Sequence, residues 1–477
     1  MAVFMRRTKI VATVGPACDS RETLAEMISA GVNVFRLNFS HGTAEEHADR
    51  AALIRELAAE AGVYVGLLGD LQGPKIRLRK LAVDPIELKK GTALILDTEL
   101  ADGEGDAGHI GVDYEPLARS VSAGDVLLLD DGRLRLSVDR VVGEQVFCRS
   151  ESVGKLQSRK GINRLGGGLS APALTDKDME DIKLAAQIGL DFIAVSFPSS
   201  AEDIEDARLK LESAGCFAHI IGKIERAEAV ANDEHLDNLI RACDGVMVAR
   251  GDLGVEIGDA SLIGLQKHII KRARVLNRPV ITATQMMESM VSSPVPTRAE
   301  VFDVANAVLD GTDAVMLSAE TASGMYPVET VKAMARNCEG AELYPSARKS
   351  SYRLERKFDT VEETLAMSAV YAANHQVGVK AIVSMTETGR TVLLMSRLTS
   401  GIPIFAFSRN PDTCNRVSLY RGVYAIASDS AGIEVAACVE AIRARGYVET
   451  DDLILGTTGD EVGVDGHTNT LKIVRVN

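Results

Sequence analysis

Apolar residues recur along this chain with two alternating periods. Short β-branched or aliphatic runs, of buried-strand length, alternate with segments whose apolar positions repeat every three to four residues, as on a one-faced helix. Thr8–Gly15 (TKIVATVG) reads as a strand and Ser20–Ala30 as its helix. Asn33–Ser40 with Ala44–Ala61 follows, and Tyr64–Leu71 is a third strand. After a long interruption the rhythm resumes at a helix, Asp176–Gly189. Strands are then predicted at Phe192–Pro198, Ile220–Ile224, Gly245–Ala249, Pro279–Thr284 and Ala314–Ser318, each with a helical segment such as Val230–Cys243. Eight strands alternating with helices make the closure number of a (β/α)8 TIM barrel, whose chemistry sits at the carboxyl ends of the strands. An open doubly wound sheet shares the alternation. Charged and hydroxyl residues end nearly every strand here, which favours the barrel.

The interruption, Gln72 to Gly168, has a different texture. Ile86–Leu88, Ala93–Leu96, Val126–Leu129, Leu134–Val138 and Val146–Arg149 are short strands punctuated by Gly91, Gly124, Gly132 and Gly143. They predict an inserted all-β lid domain, a small β-barrel, hanging from the third strand. After a helix at Val328–Glu342 and a basic linker, Tyr344–Arg356, the α/β pattern returns. Strands at Ala381–Met385, Ile402–Phe407, Val423–Ala427 and Leu453–Leu455, with an edge strand at Leu471–Val476, predict a C-terminal doubly wound α/β domain. The expected division is a barrel of residues 1–71 and 169–343, a lid of 72–168 and a C-terminal domain of 344–477.

The polar positions add candidate chemistry. Lys223 and Glu225 close the fifth strand, and Arg250 and Asp252 follow the sixth. Adjacent parallel strands bring Glu225 and Asp252 near enough to share one divalent cation, with Lys223 beside it. Carboxylate oxygens suit Mg2+ or Mn2+, and a desolvated lysine stabilises a phosphoryl group in transfer. Gly251 permits close backbone approach of an anion. A structural salt bridge is the plainer reading of the same spacing. On the second strand, alternation sends Arg36, Asn38 and Ser40 to one side and Phe35, Leu37 and Phe39 to the other. Arg36 offers a planar fork to phosphate or carboxylate. Asn38, Ser40 and Asp70 offer oxygens to a cation, or form a buried hydrogen-bond network. Gly73-Pro74 makes a rigid exit into the lid, and Lys75 and Arg77 place positive charge over the mouth. Thr284 and Ser318 end the last two barrel strands with hydroxyls, and Met286, Met287 and Met290 read as packing. In the C-terminal domain Ser384, Thr386, Thr388, Gly389, Arg390 and Thr391 follow a strand and open a helix, which is an anion nest or an ordinary N-cap. The GxGxxG spacing at Gly103–Gly108 opens no helix and lies in an acidic loop, so no dinucleotide is expected there.

Composition narrows the class without changing it. The chain has 477 residues, 46% hydrophobic and 25% charged, as in an ordinary globular protein. A net charge of −14 argues against a nucleic-acid partner. Seven dispersed cysteines without CxxC spacing predict free thiols in a reducing compartment. No run approaches the roughly 18 apolar residues of a membrane span, and MAVFMRRTKI lacks the apolar core of a signal peptide. A cytoplasmic protein with no membrane partner is expected.

The motifs TKIVATVGPA, NVFRLNFSHG, DLQGPKIR, GKIE, VARGDLGVE, TATQMMESM, PTRAEVFDVANAVLDGTDAVMLSAETA and TETGRT, in this order, resemble the pyruvate kinase family from residue 8 to the C-terminus. The resemblance implies phosphoryl transfer from phosphoenolpyruvate to ADP, giving pyruvate and ATP, the last step of glycolysis, in an allosteric homotetramer. It implies Glu225 and Asp252 as ligands of Mg2+ (or Mn2+) and Lys223 as the group stabilising the phosphoryl. Thr284 and the Gly251 backbone would hold the substrate carboxylate, and Arg36 the phosphate. His41, Arg77 and Lys160 would lie near the nucleotide, and Thr284 and Ser318 could deliver a proton to the enolate through water. Lys75 stands where K+-dependent members have Glu, and Leu71 where they have Thr, so an ammonium replaces the monovalent cation and K+ is not required. Leu165 stands where many members have proline, at the return from the lid. The nest of Ser384 to Thr391 implies an effector, expected to be a sugar monophosphate or AMP, because the loop Gly459–Gly466 is acidic. A metal-dependent barrel lyase acting on phosphoenolpyruvate or a 2-oxo acid, and a sugar-phosphate sensor with a decayed barrel, are the competing readings.

Overall fold

The computed structural model describes residues 5–169, 171–349, 353, 355–428, 434–459 and 468–477. Eight parallel strands close into a barrel: β1 (Lys9–Val14), β2 (Val34–Asn38), β3 (Gly66–Asp70), β4 (Phe192–Val195), β5 (His219–Ile224), β6 (Gly245–Ala249), β7 (Val280–Ala283) and β8 (Ala314–Leu317). β8 pairs with β1, so the sheet has no open edge. The doubly wound alternative for this part of the chain is thereby excluded. Reciprocal capping boxes start several of the flanking helices, as at Thr43–Glu46, Thr175–Asp178 and Thr297–Glu300.

Strand alternation sorts the apolar residues into two layers. Ile10, Phe35, Leu67, Ile193, Val246 and Val315 pack outward beneath the helices. Val11, Val34, Leu68, Ala194, Ile221, Met247 and Ile281 fill the barrel interior. Two residues further along five consecutive strands, the same inward row turns polar: Thr13, Arg36, Asp70, Ser196 and Lys223. On β6 and β7 the matching positions are Ala249 and Ala283, small residues that leave room above the floor.

The lid has its own core, including Leu94, Leu96, Leu127, Leu136 and Val146. Where a small barrel is expected, the strands form a six-stranded sheet that does not close; it contains Ala93–Asp97, Val126–Leu129, Leu134–Val142 and Gln145–Ser150, close to the predicted bounds. It also contains His109–Gly111 and Ile162–Arg164, and a second, two-stranded sheet pairs Gly154–Leu156 with Ile86–Leu88. The three unpredicted strands have three residues each, too short to show a period. The GxGxxG stretch is an exposed turn region of this lid and opens no helix. Where the chain enters the lid, Gly73 has φ +65°, and a Cβ there would stand 2.7 Å from Cβ of Ser196, so no larger residue fits.

The C-terminal sheet is β9 (Val379–Met385), β10 (Ile404–Ser408), β11 (Val423–Ala427), β12 (Leu453–Gly459) and β13 (Thr468–Arg475). Its order is β11-β10-β9-β12-β13, with β13 antiparallel at one edge. This domain seals the floor of the barrel: its apolar residues Ala369, Ile382, Leu419 and Tyr420 belong to the same cluster as the barrel interior. Arg397 and Asp313, each 1% exposed, form an ion pair across the junction, with Arg397 NH1 2.7 Å from Asp313 Oδ2. Glu342 accepts from the Thr8 N–H at 2.6 Å and from the Arg7 N–H at 2.8 Å. Among the described residues no helix is long and apolar enough to cross a membrane.

Lys9 is the unusual member of this junction. It is 1% exposed, its Nζ donates to the Val423 carbonyl at 2.5 Å, and it lies over the Tyr424 ring. Burial, with Arg6 adding repulsion, lowers its pKa from 10.5 to about 7, while Glu342 and Asp313 oppose the shift. The folded protein therefore binds this proton less tightly than the unfolded chain. The penalty, on the order of a few kcal/mol, is fully present below pH 7 and fades as pH rises towards 10.5. Lys9→Met should melt above the parent protein at pH 7, and the gap should narrow when both are measured towards pH 10; a gap independent of pH would contradict this account.

Candidate active site

The polar inward row meets at the carboxyl end of the barrel. Lys223 Nζ donates to Ser196 Oγ at 2.7 Å and stands 3.4 Å from both Asp70 Oδ1 and Glu225 Oε2. Arg36 Nε donates to Asp70 Oδ2 at 2.7 Å, and its NH1 donates to Thr13 Oγ1 at 3.0 Å. Ser196 Oγ donates to the Leu71 carbonyl at 2.6 Å, so its lone pairs are left to face the Lys223 ammonium. Burial drives the Lys223 pKa down, but Asp70 and Glu225 outweigh it and the net shift is upward, so the ammonium is retained. Burial likewise raises Asp70, and Lys223 and Arg36 together reverse the sign, leaving it lowered.

Glu225 is the group this network leaves short of positive charge. Its side chain is fully buried, and Oε1 accepts from the Phe197 N–H at 2.7 Å. Oε2 has no hydrogen bond. Burial pushes its pKa up to about 7; Lys223 opposes the rise and the negative charge of Asp252 adds to it. Phe197, at φ +56°, sits in the left-handed region so that its N–H reaches this carboxylate. An orphaned carboxylate oxygen beside a second carboxylate fits a divalent cation bound through hard oxygens.

Asp252 lies in the first turn of a helix, Arg250–Ile257, that starts as β6 ends. The apolar pattern did not predict this helix. The adjacent turn is held open by two successive non-glycine residues at positive φ, Thr284 (+66°) and Gln285 (+54°). Arg250 grips its carbonyls, donating to Ala283 at 3.1 Å and to Thr284 at 2.5 Å. Thr284 Oγ1 accepts from the Gly251 N–H at 2.9 Å, so the two groups expected to hold a carboxylate already face each other.

Beside this cluster a cavity of about 630 Å3 opens between the ends of β1, β2 and β8. Arg36, Asn38, His41, Arg50 and Ser318 contribute to its wall, so Arg36 faces both the ion cluster and the cavity. The volume is in the range of a nucleotide-sized ligand. Arg77 and Lys160 do not line it: Arg77 NH1 donates to the Arg159 carbonyl at 3.1 Å, and Lys160 pairs with Asp130 at 2.7 Å, both within the lid. Asn38 Oδ1 accepts from the Ser40 N–H at 3.2 Å. Lys75 turns to Asp252 Oδ1 at 3.1 Å and to Asp131 at 3.5 Å, while Asp70 is taken by Arg36 and Lys223. Met286, Met287 and Met290 are all fully buried, as their packing role requires.

In the C-terminal nest, Thr386 Oγ1 accepts from the Gly389 N–H at 2.9 Å, and Thr388 and Arg390 are exposed. Ser384 is buried against Thr457 at 2.9 Å, and Thr391 is buried with its hydroxyl on Glu362 at 2.7 Å. Arg390 also reaches Glu362, at 2.9 Å. The acidic loop at residues 460–466 lies outside the described residues.

Ser196 and the Phe197 N–H were missed in the sequence. The alternation that selected Arg36 also selects Ser196, inward from Ala194, but a lone serine after an apolar strand carries no charge to draw notice. The Phe197 N–H left no sequence signal at all.

Family models for the pyruvate kinase barrel domain and the pyruvate kinase alpha/beta domain match residues 5–331 and 363–474. Pyruvate kinase II of Salmonella typhimurium is 56% identical over 479 residues, covering 100% of both chains. Pyruvate kinase of Haemophilus influenzae is 56% identical over 97% of each chain. A solved pyruvate kinase structure from Cryptosporidium parvum superposes with a TM-score of 0.92 at 36% identity, covering 99% of this chain and 96% of that one.

The ion cluster generates a paired expectation for cation binding. Glu225→Gln removes the charge from the orphaned oxygen and should weaken Mg2+ binding by about tenfold or more, whereas Lys223→Met removes a competing cation and should retain it. Isothermal titration of both variants with Mg2+ checks this; equal losses would contradict the assignment.

Proposed function

The chain belongs to the pyruvate kinase family, and from that premise we propose how its residues divide the work of moving a phosphoryl group from phosphoenolpyruvate to ADP. Pyruvate and ATP are the products, and the lyase reading is not supported. The observation that carries the division is the orphaned Glu225 oxygen beside a retained Lys223 ammonium.

Glu225 and Asp252 hold a divalent cation, Mg2+ or Mn2+, which when bound neutralises charge on substrate oxygens. Thr284 Oγ1 and the Gly251 N–H part from each other to take the substrate carboxylate. Arg36 and Lys223 hold the phosphoryl oxygens, Arg36 from the cavity side and Lys223 from the floor. ADP occupies the cavity at His41, with Arg77 and Lys160 brought to its phosphates when the lid closes. The bond from phosphorus to the enol oxygen breaks, its electron pair stays on that oxygen, and a β-phosphate oxygen of ADP forms the new bond. The remaining enolate takes a proton at its terminal carbon, delivered through water by Thr284 and Ser318.

Three further assignments rest on the same premise. Lys75 supplies the positive charge that K+ supplies in other members; it is a permanent cation at the lid root, its pKa raised because Asp252 and Asp131 outweigh the burial that would lower it. Asn38, Ser40 and Asp70 are the oxygen set assigned to that cation, although Lys75 pairs with Asp252 and Asp131 and Asp70 is held by Arg36 and Lys223. The nest from Ser384 to Thr391 receives the single phosphate of a sugar monophosphate or AMP through Thr386, Thr388, Gly389 and Arg390, while the buried Ser384 and Thr391, bonded to Thr457 and Glu362, brace it from behind. We assign the working form as a cytoplasmic homotetramer, divided into a barrel of residues 1–71 and 169–343, a lid of 72–168 and an effector-binding domain of 344–477.

A lactate dehydrogenase-coupled assay with phosphoenolpyruvate, ADP and Mg2+ in buffer free of Na+ and K+ should show full activity; a manyfold rise on adding K+ would overturn the role of Lys75. In the same assay glucose 6-phosphate, ribose 5-phosphate or AMP should activate more strongly than fructose 1,6-bisphosphate, and the reverse order would exclude the monophosphate assignment.

A further inference from the structure

His47 is a buried ring that the phosphoryl-transfer scheme does not use. It lies near the start of the helix Ala44–Glu60 and is 4% exposed. Its Nε2 stands 2.8 Å from the carbonyl oxygen of His41. A carbonyl only accepts, so Nε2 carries the hydrogen and Nδ1 is bare in the neutral ring. Burial outweighs the pull of the His41 carbonyl and lowers the ring's pKa, which favours that neutral form. Nδ1 is buried and has no hydrogen bond among the described residues. The ring also packs edge-on against Phe39, with centroids 5.0 Å apart. An apolar side chain would fill the same space without an unpaired nitrogen. What a histidine adds here is the one hydrogen bond to His41.

That bond holds the turn that ends β2. Within the turn the His41 N–H donates to the Asn38 carbonyl at 3.1 Å, and from outside Lys177 Nζ donates to the Phe39 carbonyl at 2.7 Å. Gly42 has φ +83°, and a Cβ there would stand 2.9 Å from Glu46 Oε2 and 3.4 Å from His47 Nε2, so the turn lies directly against the helix start. The backbone of His41 is thus fixed from the helix side, while His41 itself is exposed and contributes to the wall of the 630 Å3 cavity. Arg36, earlier on the same strand, is held separately by Asp70 and Thr13, on β3 and β1.

We propose that His47 is a positioning residue for the nucleotide: its Nε2–H fixes the His41 carbonyl and so holds the His41 ring at the cavity, while phosphoenolpyruvate binding and the transfer step depend on it little. This rests on the reading of the cavity as the ADP site with His41 in its wall. Without the bond, the turn has to be ordered as the nucleotide arrives, and that ordering weakens binding by about fivefold or more.

The test uses the complete protein with Mg2+. Calorimetric titration with ADP alone reads nucleotide affinity, and the lactate dehydrogenase-coupled assay reads kcat and the KM of each substrate. Asparagine places its NH2 near the position of Nδ1 and glutamine near that of Nε2, so His47→Asn removes the donor and His47→Gln restores it. His47→Asn should weaken ADP binding and raise the KM for ADP about fivefold or more, with kcat and the KM for phosphoenolpyruvate within about twofold of the parent. His47→Gln should recover most of the ADP affinity. Equal losses in the two variants, or a fall in kcat with a rise in both KM values for His47→Asn, would mean a general structural role and overturn the proposal. His41→Ala serves as the reference. If it weakens ADP binding and His47→Asn does not, the positioning role alone fails; if it leaves ADP binding unchanged, the reading of His41 fails and the proposal with it. Should His47→Asn not fold, His47→Phe, which keeps a ring against Phe39 but has no donor, carries the same comparison.

Discussion

A charge placed inside a barrel has to be answered by another charge, and this requirement organises the catalytic end of the molecule. The interior of β1 to β5 is apolar at one level and polar two residues further along, so Arg36, Asp70 and Lys223 enter a dry space together. Isolated, Asp70 and Lys223 would each shift towards the neutral form. Together, Asp70 sits between two cations and stays ionised, and Lys223 keeps its proton because two carboxylates flank it. Glu225 is the residue left over, its burial only partly offset by Lys223 and the Phe197 N–H. The cluster is therefore not a set of closed salt bridges but an unfinished one, whose missing charge is of the sign and hardness of a divalent metal ion.

The lid is tied to this cluster by its first residues. Asp70, which orients Arg36 and Lys223, is the last residue of β3, and the chain turns into the lid three residues later at Gly73. Ser196 touches both sides: its hydroxyl receives Lys223 and donates to the Leu71 carbonyl, and its Cβ fills the space a side chain at 73 would need. Lys75, a little further on, reaches back to Asp252 and across to Asp131 of the lid. Movement of the lid is in this way movement of the groups next to Glu225 and Asp252, without any long-range relay.

The barrel was legible because its signal is periodic and repeated. Strand alternation with an eightfold count found all eight strands, and the residues ending them gave Lys223, Glu225, Asp252, Thr284 and Arg36. The same reasoning failed where an element is too short for a period, as at His109–Gly111, or where the active group is a backbone N–H, as at Phe197. The helix Arg250–Ile257 escaped because glycine and charged residues at its start mask any apolar face. Side-chain partners were the least readable feature. Nothing in the order of residues says that Lys75 turns to Asp252, or that Thr391 is spent on Glu362, because those choices are made by distances between segments remote in sequence.

The continuity of the barrel interior with the C-terminal core has a consequence for how the molecule comes apart. Tyr420 and Leu419 belong to the same apolar cluster as Val11 and Met247, and the Arg397–Asp313 pair locks that junction. The barrel cannot open its floor without exposing the C-terminal domain, so the two share one cooperative unfolding unit although they are successive in the chain. The lid, interrupting the barrel in sequence, keeps a separate core and two narrow connections. Amide exchange and limited proteolysis are therefore expected to follow a boundary that runs around the middle segment, not between the first half of the chain and the second.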